Sequence, residues 1–138
     1  MTPGLLLVSH GDHAEAALRS ARMILGEIEG AEAVGLPPSG SLEAFSAAVE
    51  SALDRIGADR PTLVLVDLFG GSCANVAARL IGKRPMRVAA GLNLAMVVEF
   101  ALRRGGCDLD AVVEKVLEAG RRAVIDVNER LASRLPAK

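Results

Sequence analysis

With 138 residues, 24% charged side chains and a formal net charge of −1, the chain is sized and composed like one globular domain spanning residues 1–138. A near-zero net charge argues against nucleic acid or an anionic membrane surface as the main partner. The absence of Trp and Tyr also disfavours binding of single-stranded nucleic acid, whose bases stack on aromatic side chains. No secretory leader pattern and no apolar run of about 20 residues occurs, and the two cysteines match no redox or metal spacing, so we expect a cytoplasmic protein.

Short apolar runs alternate with longer segments of helical periodicity along the chain. The apolar runs predict strands, in chain order, at 4–9, 31–36, 61–68 and 84–90. The periodic segments predict helices, in chain order, at 13–28, 42–56 after an N-cap at Ser41, 72–81, 94–103 and 108–122. The segment from Ala123 to Val127 alternates apolar and polar residues, and it fits either a short fifth strand or a continuation of the last helix.

Strands that alternate with helices predict an α/β fold, in which a doubly wound, mostly parallel four-stranded sheet carries helices on both faces. Right-handed crossovers bring the carboxyl ends of parallel strands to one edge, where ligands bind in such folds. The loops at 9–11, 67–72 and 91–93 leave this edge and hold the unusual polar residues of the apolar runs. We therefore expect a ligand site there, with Ser9, Gly11 and Asn93 as supporting residues.

His10 is the candidate nucleophile of this site. A neutral imidazole has one nucleophilic nitrogen, and a hydrogen-bond partner on the other nitrogen fixes which one it is. Asp67, at the end of a neighbouring strand, is placed to accept the Nδ1 proton and to leave Nε2 free to attack phosphorus. Taken singly, His10 also fits a surface or capping residue and Asp67 a turn residue.

Gly70, Gly71 and Ser72 open a helix and form the candidate anion-binding turn. Backbone N–H groups and the positive end of the helix dipole attract phosphate oxygens, the glycines allow close approach, and the serine hydroxyl adds a donor. A tight turn with a cap is the plainer interpretation of this segment, as it is of Asn93. A nucleophilic nitrogen beside an anion-binding turn predicts phosphoryl transfer.

Other chemistries lack their usual signatures. His10 and His13 are spaced like a pair of metal ligands, but no third ligand has a clear place, so we expect no metal and place His13 on the exposed first turn of its helix. The chain has neither a GxxxxGK[ST] motif for a nucleotide phosphate nor the GxSxG elbow of a serine hydrolase.

Several motifs resemble the EIIA domain of the mannose family of the bacterial sugar phosphotransferase system, and together they span almost the whole chain. They are the segments 8–11, 23–26, 66–72 and 91–94, with Ala14, Glu15, Asn75, Met96 and Glu99 nearby. The most specific part is Asp-Leu-Phe-Gly-Gly-Ser at 67–72 combined with Ser-His-Gly at 9–11.

This resemblance implies a phosphocarrier without metal, nucleotide or other cofactor. The histidine matching His10 accepts a phosphoryl group from phospho-HPr through Nε2 and passes it to a histidine of an EIIB domain. The aspartate matching Asp67 orients the ring, and the serine matching Ser72 holds the phosphate together with nearby amides. The family also forms homodimers that exchange a C-terminal strand, which residues 123–127 would supply, and meets the membrane only indirectly, through EIIC and EIID.

Two residues depart from the pattern of the family. Cys73 and Ala95 stand where the family usually has proline. The place of Cys73 at a helix start fits a lowered thiol pKa, but we expect it to be a buried packing residue. The sequence leaves open whether phosphorylation serves sugar transport of the mannose, fructose or sorbose type or a regulatory binding event. The phosphotransfer subunit of dihydroxyacetone kinase is a weaker alternative, because the turn at 69–72 looks like the sugar-transport branch.

Overall fold

Four parallel strands form the predicted sheet in a computed structural model that describes residues 1–134 and 136. The strands are β1 (Gly4–His10), β2 (Ala31–Leu36), β3 (Thr62–Val66) and β4 (Met86–Ala90). They lie in the order β2-β1-β3-β4, and every neighbouring pair is parallel. The order reverses between β1 and β3, so the loops after these two strands flank the point where open sheets of this kind bind ligands.

In the part of the chain that the structure describes, six helices connect and follow the strands. They are α1 (His13–Leu25), α2 (Leu42–Gly57), α3 (Ser72–Ala78), α4 (Leu94–Arg103), α5 (Leu109–Arg122) and α6 (Val127–Arg130). The predicted end of α1 at residue 28 is wrong, because Gly26 adopts a φ of +80° that a right-handed helix cannot continue. The predicted end of α3 at residue 81 is also too late.

Helices cover both faces of the sheet, as predicted, and each face has its own hydrophobic core. Side chains alternate between the faces along each strand, so Leu5 and Leu7 pack with α1, α4 and α5, whereas Leu6 and Val8 pack with α2 and α3. Burial on both sides explains why β1 and β3 are continuous apolar runs in the sequence. Among the described residues, no helix has the length and apolar character that crossing a bilayer requires.

The segment from Ala123 to Val127 follows neither of the two interpretations left open by its sequence. The helix α5 ends at Arg122, and α6 begins at Val127 after the Asp126 side chain accepts a hydrogen bond of 3.1 Å from the Glu129 N–H. Within one chain, the described residues offer this segment no strand partner. An exchanged strand would be completed only by a second chain, and that exchange stays a prediction.

Candidate active site

The chain turns sharply at the end of β1, and this turn presents His10. Ser9 is buried, and its Oγ accepts a hydrogen bond of 2.7 Å from the Ala14 N–H, which fastens the end of β1 to the first turn of α1. Gly11 has a φ of +56°, a backbone conformation that residues other than glycine rarely adopt. The side chain of His10 is 49% exposed at the edge of the sheet.

Asp67 follows β3 and contacts His10 twice. Its Oδ2 accepts one hydrogen bond from the ring nitrogen Nδ1 and another from the backbone N–H of His10, each 2.8 Å long. The other oxygen, Oδ1, accepts a hydrogen bond of 2.9 Å from the Leu68 N–H. Because a carboxylate only accepts hydrogen bonds, the contact places the ring proton on Nδ1 and leaves the lone pair on Nε2.

The environment of Asp67 keeps its carboxyl group ionised. Burial raises the pKa of Asp67, but the hydrogen bonds from the backbone and ring of His10 and from the backbone of Leu68 outweigh burial, so the pKa lies below its usual value. A fixed negative charge beside Nδ1 favours any step that makes the ring of His10 positive.

The turn between Asp67 and α3 passes close to the other side of the ring. Gly70 has a φ of +88°, and Gly71 is the N-cap of α3. A methyl group built on Gly71 would lie 3.3 Å from Cε1 and 3.8 Å from Nε2 of His10. The structure therefore places the backbone of Gly71 beside the nitrogen that carries the lone pair, and Ser72 begins α3 directly after it.

Cys73 is buried, as predicted, but it also contacts the ring, which the sequence did not indicate. Its Sγ lies 3.7 Å from Nδ1 of His10. Burial and the nearby charge of Asp67 raise the pKa of the Cys73 thiol to about 11, so the thiol is protonated at neutral pH. One signal for this contact was present in the sequence: the predicted helix begins at Ser72, which places Cys73 in its first turn, beside the sheet.

The other residues predicted at this edge have contacts of their own. Asn93 is the N-cap of α4, accepting a hydrogen bond of 3.1 Å from the Met96 N–H, and its side-chain amide donates to the carbonyl of Gly120 at 3.2 Å. These contacts join α4 to α5 and match the capping interpretation of Asn93. His13 is exposed at the first position of α1, as predicted.

Comparisons with known proteins identify the family of the chain. A family model described as the PTS system fructose IIA component matches residues 4–117. The mannose-specific EIIAB component of Escherichia coli K12 is 32% identical over 126 residues, which is 90% of this chain and 39% of that protein, so the chain spans about two fifths of its length. The sorbose-specific EIIA component of Lacticaseibacillus casei is 25% identical over 94% of both chains.

The chain is also similar to solved structures of phosphotransferase-system IIA proteins. The mannose/sorbose-specific IIA subunit of the phosphotransferase system from Enterococcus faecalis superposes with a TM-score of 0.85 and 37% identity, over 100% of this chain and 99% of that one. A PTS IIA protein associated with the fucose utilization operon of Streptococcus pneumoniae superposes with a TM-score of 0.82 and 26% identity, over 95% and 97% of the two chains. The chain therefore belongs to the mannose-type EIIA family of the sugar phosphotransferase system.

Proposed function

We propose that Nε2 of His10 accepts a phosphoryl group from phospho-HPr and passes it to a histidine of an EIIB partner. The observation that carries the proposal is the hydrogen bond of 2.8 Å between Nδ1 and Asp67 Oδ2. It leaves the lone pair on Nε2 of a half-exposed ring. In the first transfer the lone pair of Nε2 attacks phosphorus, and the donor nitrogen leaves with the electrons of the broken P–N bond. Asp67 stabilises the positive charge that the phosphorylated ring then carries.

The turn from Gly70 to Ser72 is proposed to hold the phosphoryl oxygens. Gly71 lies beside Cε1 and Nε2 of His10, and its lack of a side chain leaves room for a tetrahedral group on that nitrogen. The amides of the turn and the hydroxyl of Ser72 supply donors of the kind that bind phosphate. Catalysis of this kind depends on positioning and electrostatics, so it requires no metal or nucleotide.

Exposed apolar side chains beside the site support a protein, rather than a small molecule, as phosphoryl donor. Phe69 is 91% exposed and Leu68 is 63% exposed, directly after Asp67 in the chain. Large apolar groups in such positions are typical of protein contacts. We propose that they contact phospho-HPr and EIIB in the cytoplasm, with indirect membrane association through EIIC and EIID.

We further propose that residues 1–138 act as one EIIA domain that forms a homodimer. Val124 is 86% exposed and Val127 is 60% exposed, so the segment between α5 and α6 presents apolar surface that a second chain would cover. Exchange of this segment as a fifth strand would extend the sheet beyond β4, whose outer edge is unpaired among the described residues.

The experiment that tests the phosphocarrier function uses phosphoenolpyruvate, enzyme I and HPr as the source of phosphoryl groups. We expect the chain to acquire a phosphate that is labile in acid and stable in base. The variant His10→Ala should acquire none, whereas the matched control His13→Ala, which alters an exposed histidine three residues away, should label like the wild type. Labelling of His10→Ala would contradict the proposal.

A further inference from the structure

Three residues place atoms of the kinds that bind metal ions together at the Nδ1 side of the His10 ring. Nδ1 of His10, a carboxylate oxygen of Asp67 and Sγ of Cys73 all lie within 4.8 Å of one another. The separation is 3.7 Å between Sγ and Nδ1, and 2.8 Å between Nδ1 and Oδ2. The sequence predicts no metal because a third ligand for the pair His10 and His13 has no clear place, whereas Cys73 comes into range only through the docking of α3.

We propose that His10, Asp67 and Cys73 bind Zn²⁺, and that the bound ion inhibits phosphoryl acceptance at His10. A thiolate, an imidazole and a carboxylate are the usual protein ligands of zinc, whereas Mg²⁺ and Ca²⁺ prefer sites made of oxygen alone. The regulatory part of this proposal rests on the proposed function of His10, and the binding part does not.

The distances suit a tetrahedral ion after a small adjustment. With Zn–N and Zn–S bonds of about 2.1 and 2.3 Å, tetrahedral angles separate the two donors by roughly 3.6 Å. Sγ and Nδ1 are 3.7 Å apart, which matches this separation. The separation of Nδ1 and Asp67 Oδ2 must grow by roughly 0.6 Å to that of a tetrahedral site, and the oxygen must turn aside from the Nδ1–H direction, where the ion would lie.

Metal binding and phosphorylation exclude each other through the chemistry of the imidazole ring. A neutral ring has one lone pair, and an ion bound at Nδ1 takes it, so the ring proton moves to Nε2 and that nitrogen no longer attacks phosphorus. The Cys73 thiol loses its proton to solvent as it binds the ion. A phosphoryl group on Nε2 instead keeps the proton on Nδ1, where the ion would have to bind.

Cobalt tests the binding site without any phosphoryl donor. Titration of the protein with Co²⁺, which adopts the same coordination as Zn²⁺, should produce the near-ultraviolet band of a thiolate bound to cobalt, and Zn²⁺ should remove it. Cys107→Ser, which changes the half-buried second cysteine, should retain the band, and Cys73→Ser should lose it. Absence of the band from the wild type, or its persistence in Cys73→Ser, would overturn the proposal.

A second variant protects this result against a folding defect in Cys73→Ser. His10→Ala removes an exposed side chain and keeps Cys73, so we expect a native circular dichroism spectrum and a cobalt affinity at least about 10-fold weaker than that of the wild type. An unchanged affinity in His10→Ala would show that the ring is not a ligand and would overturn the site as described.

The inhibition is tested with preformed phospho-HPr as the donor. Zn²⁺ should slow phosphoryl acceptance by the wild type and by Cys107→Ser at least about 10-fold, whereas Cys73→Ser should keep its own metal-free rate. Equal slowing of Cys73→Ser would mean that zinc acts elsewhere, and it would overturn the inhibition. If the metal-free wild type accepts no phosphoryl group, the proposed function fails, while the cobalt band still decides the metal site.

Discussion

Oδ2 of Asp67 accepts hydrogen bonds from both the ring Nδ1 and the backbone N–H of His10, each at 2.8 Å. The first bond selects the nitrogen that carries the proton, and the second ties the carboxylate to the backbone that bears the ring. Together they restrict rotation of the ring and keep Nε2 directed away from the carboxylate. This pair of contacts is the structural basis of the proposed phosphoryl transfer.

Replacing Asp67 by asparagine should slow phosphoryl acceptance by roughly 10²-fold, because the ring loses a charged partner and its preference for the Nδ1 proton. Rapid-quench measurement of transfer from phospho-HPr gives the rate. Asp12→Asn is the matched control, since the Asp12 side chain forms no capping hydrogen bond at the start of α1. Transfer by Asp67→Asn at the wild-type rate would remove Asp67 from the mechanism.

Adding a methyl group at Gly71 should slow the same reaction, by up to about 10²-fold, because the new Cβ lies 3.3 Å from Cε1 of His10 and crowds the approach to Nε2. The backbone of Gly71 has a φ of −93°, so alanine introduces no backbone strain there. Gly105→Ala is the control, because a Cβ at that position meets nothing within 4 Å. If both variants react at the same rate, Gly71 does not border the reacting group.

Ser9 should contribute to the stability of the fold, because its hydroxyl accepts a hydrogen bond from the buried N–H of Ala14. Ser9→Ala leaves that donor without its partner, and we expect a loss of about 1–3 kcal/mol in the free energy of unfolding by urea. Ser41→Ala removes a similar bond to Ala44 at an exposed cap, where water replaces the lost oxygen, so its loss should be smaller. A loss in Ser9→Ala no greater than that in Ser41→Ala would contradict this role.

The two cysteines should differ in reactivity toward iodoacetamide. The reactive form is the thiolate, and the pKa of Cys73 is raised to about 11, so its thiolate fraction stays small at pH 7–9 and grows only as the pH approaches that value. Cys107 is half-buried and should be alkylated first. Mass spectrometry of digests over time measures both rates, and equal rates at pH 8 would contradict the protected position of Cys73.

The sequence predicted that His10 and Asp67 lie at the same edge of the sheet, because that placement depends only on where the strands end. The apolar runs before Ser9 and before Asp67 identify buried parallel strands, and such strands end at a common edge. The sequence could not reveal that β1 and β3 are direct neighbours, because α1, β2 and α2 separate them along the chain. The resemblance of residues 67–72 to the mannose-type EIIA family added the roles of the side chains.

The features that the sequence did not reveal depend on packing. The distance from Cys73 to His10 is determined by how α3 docks on the sheet, which periodicity does not determine. The sequence did not show that the hydroxyl of Ser9 accepts a hydrogen bond from the first turn of α1. The segment from Ala123 to Val127 has no regular partner within one chain, and local pattern cannot decide a structure that would depend on a second chain.

The position of the phosphoryl group on the ring tests the central claim most directly. The protein labelled with ¹⁵N in its histidines is phosphorylated by phospho-HPr, and the nitrogen bonded to phosphorus is identified by nuclear magnetic resonance. We predict phosphorus on Nε2 of His10 with a proton retained on Nδ1 beside Asp67. Phosphorus on Nδ1 of His10, or on either nitrogen of His13, would contradict the assignment of Asp67 as the residue that selects the reacting nitrogen.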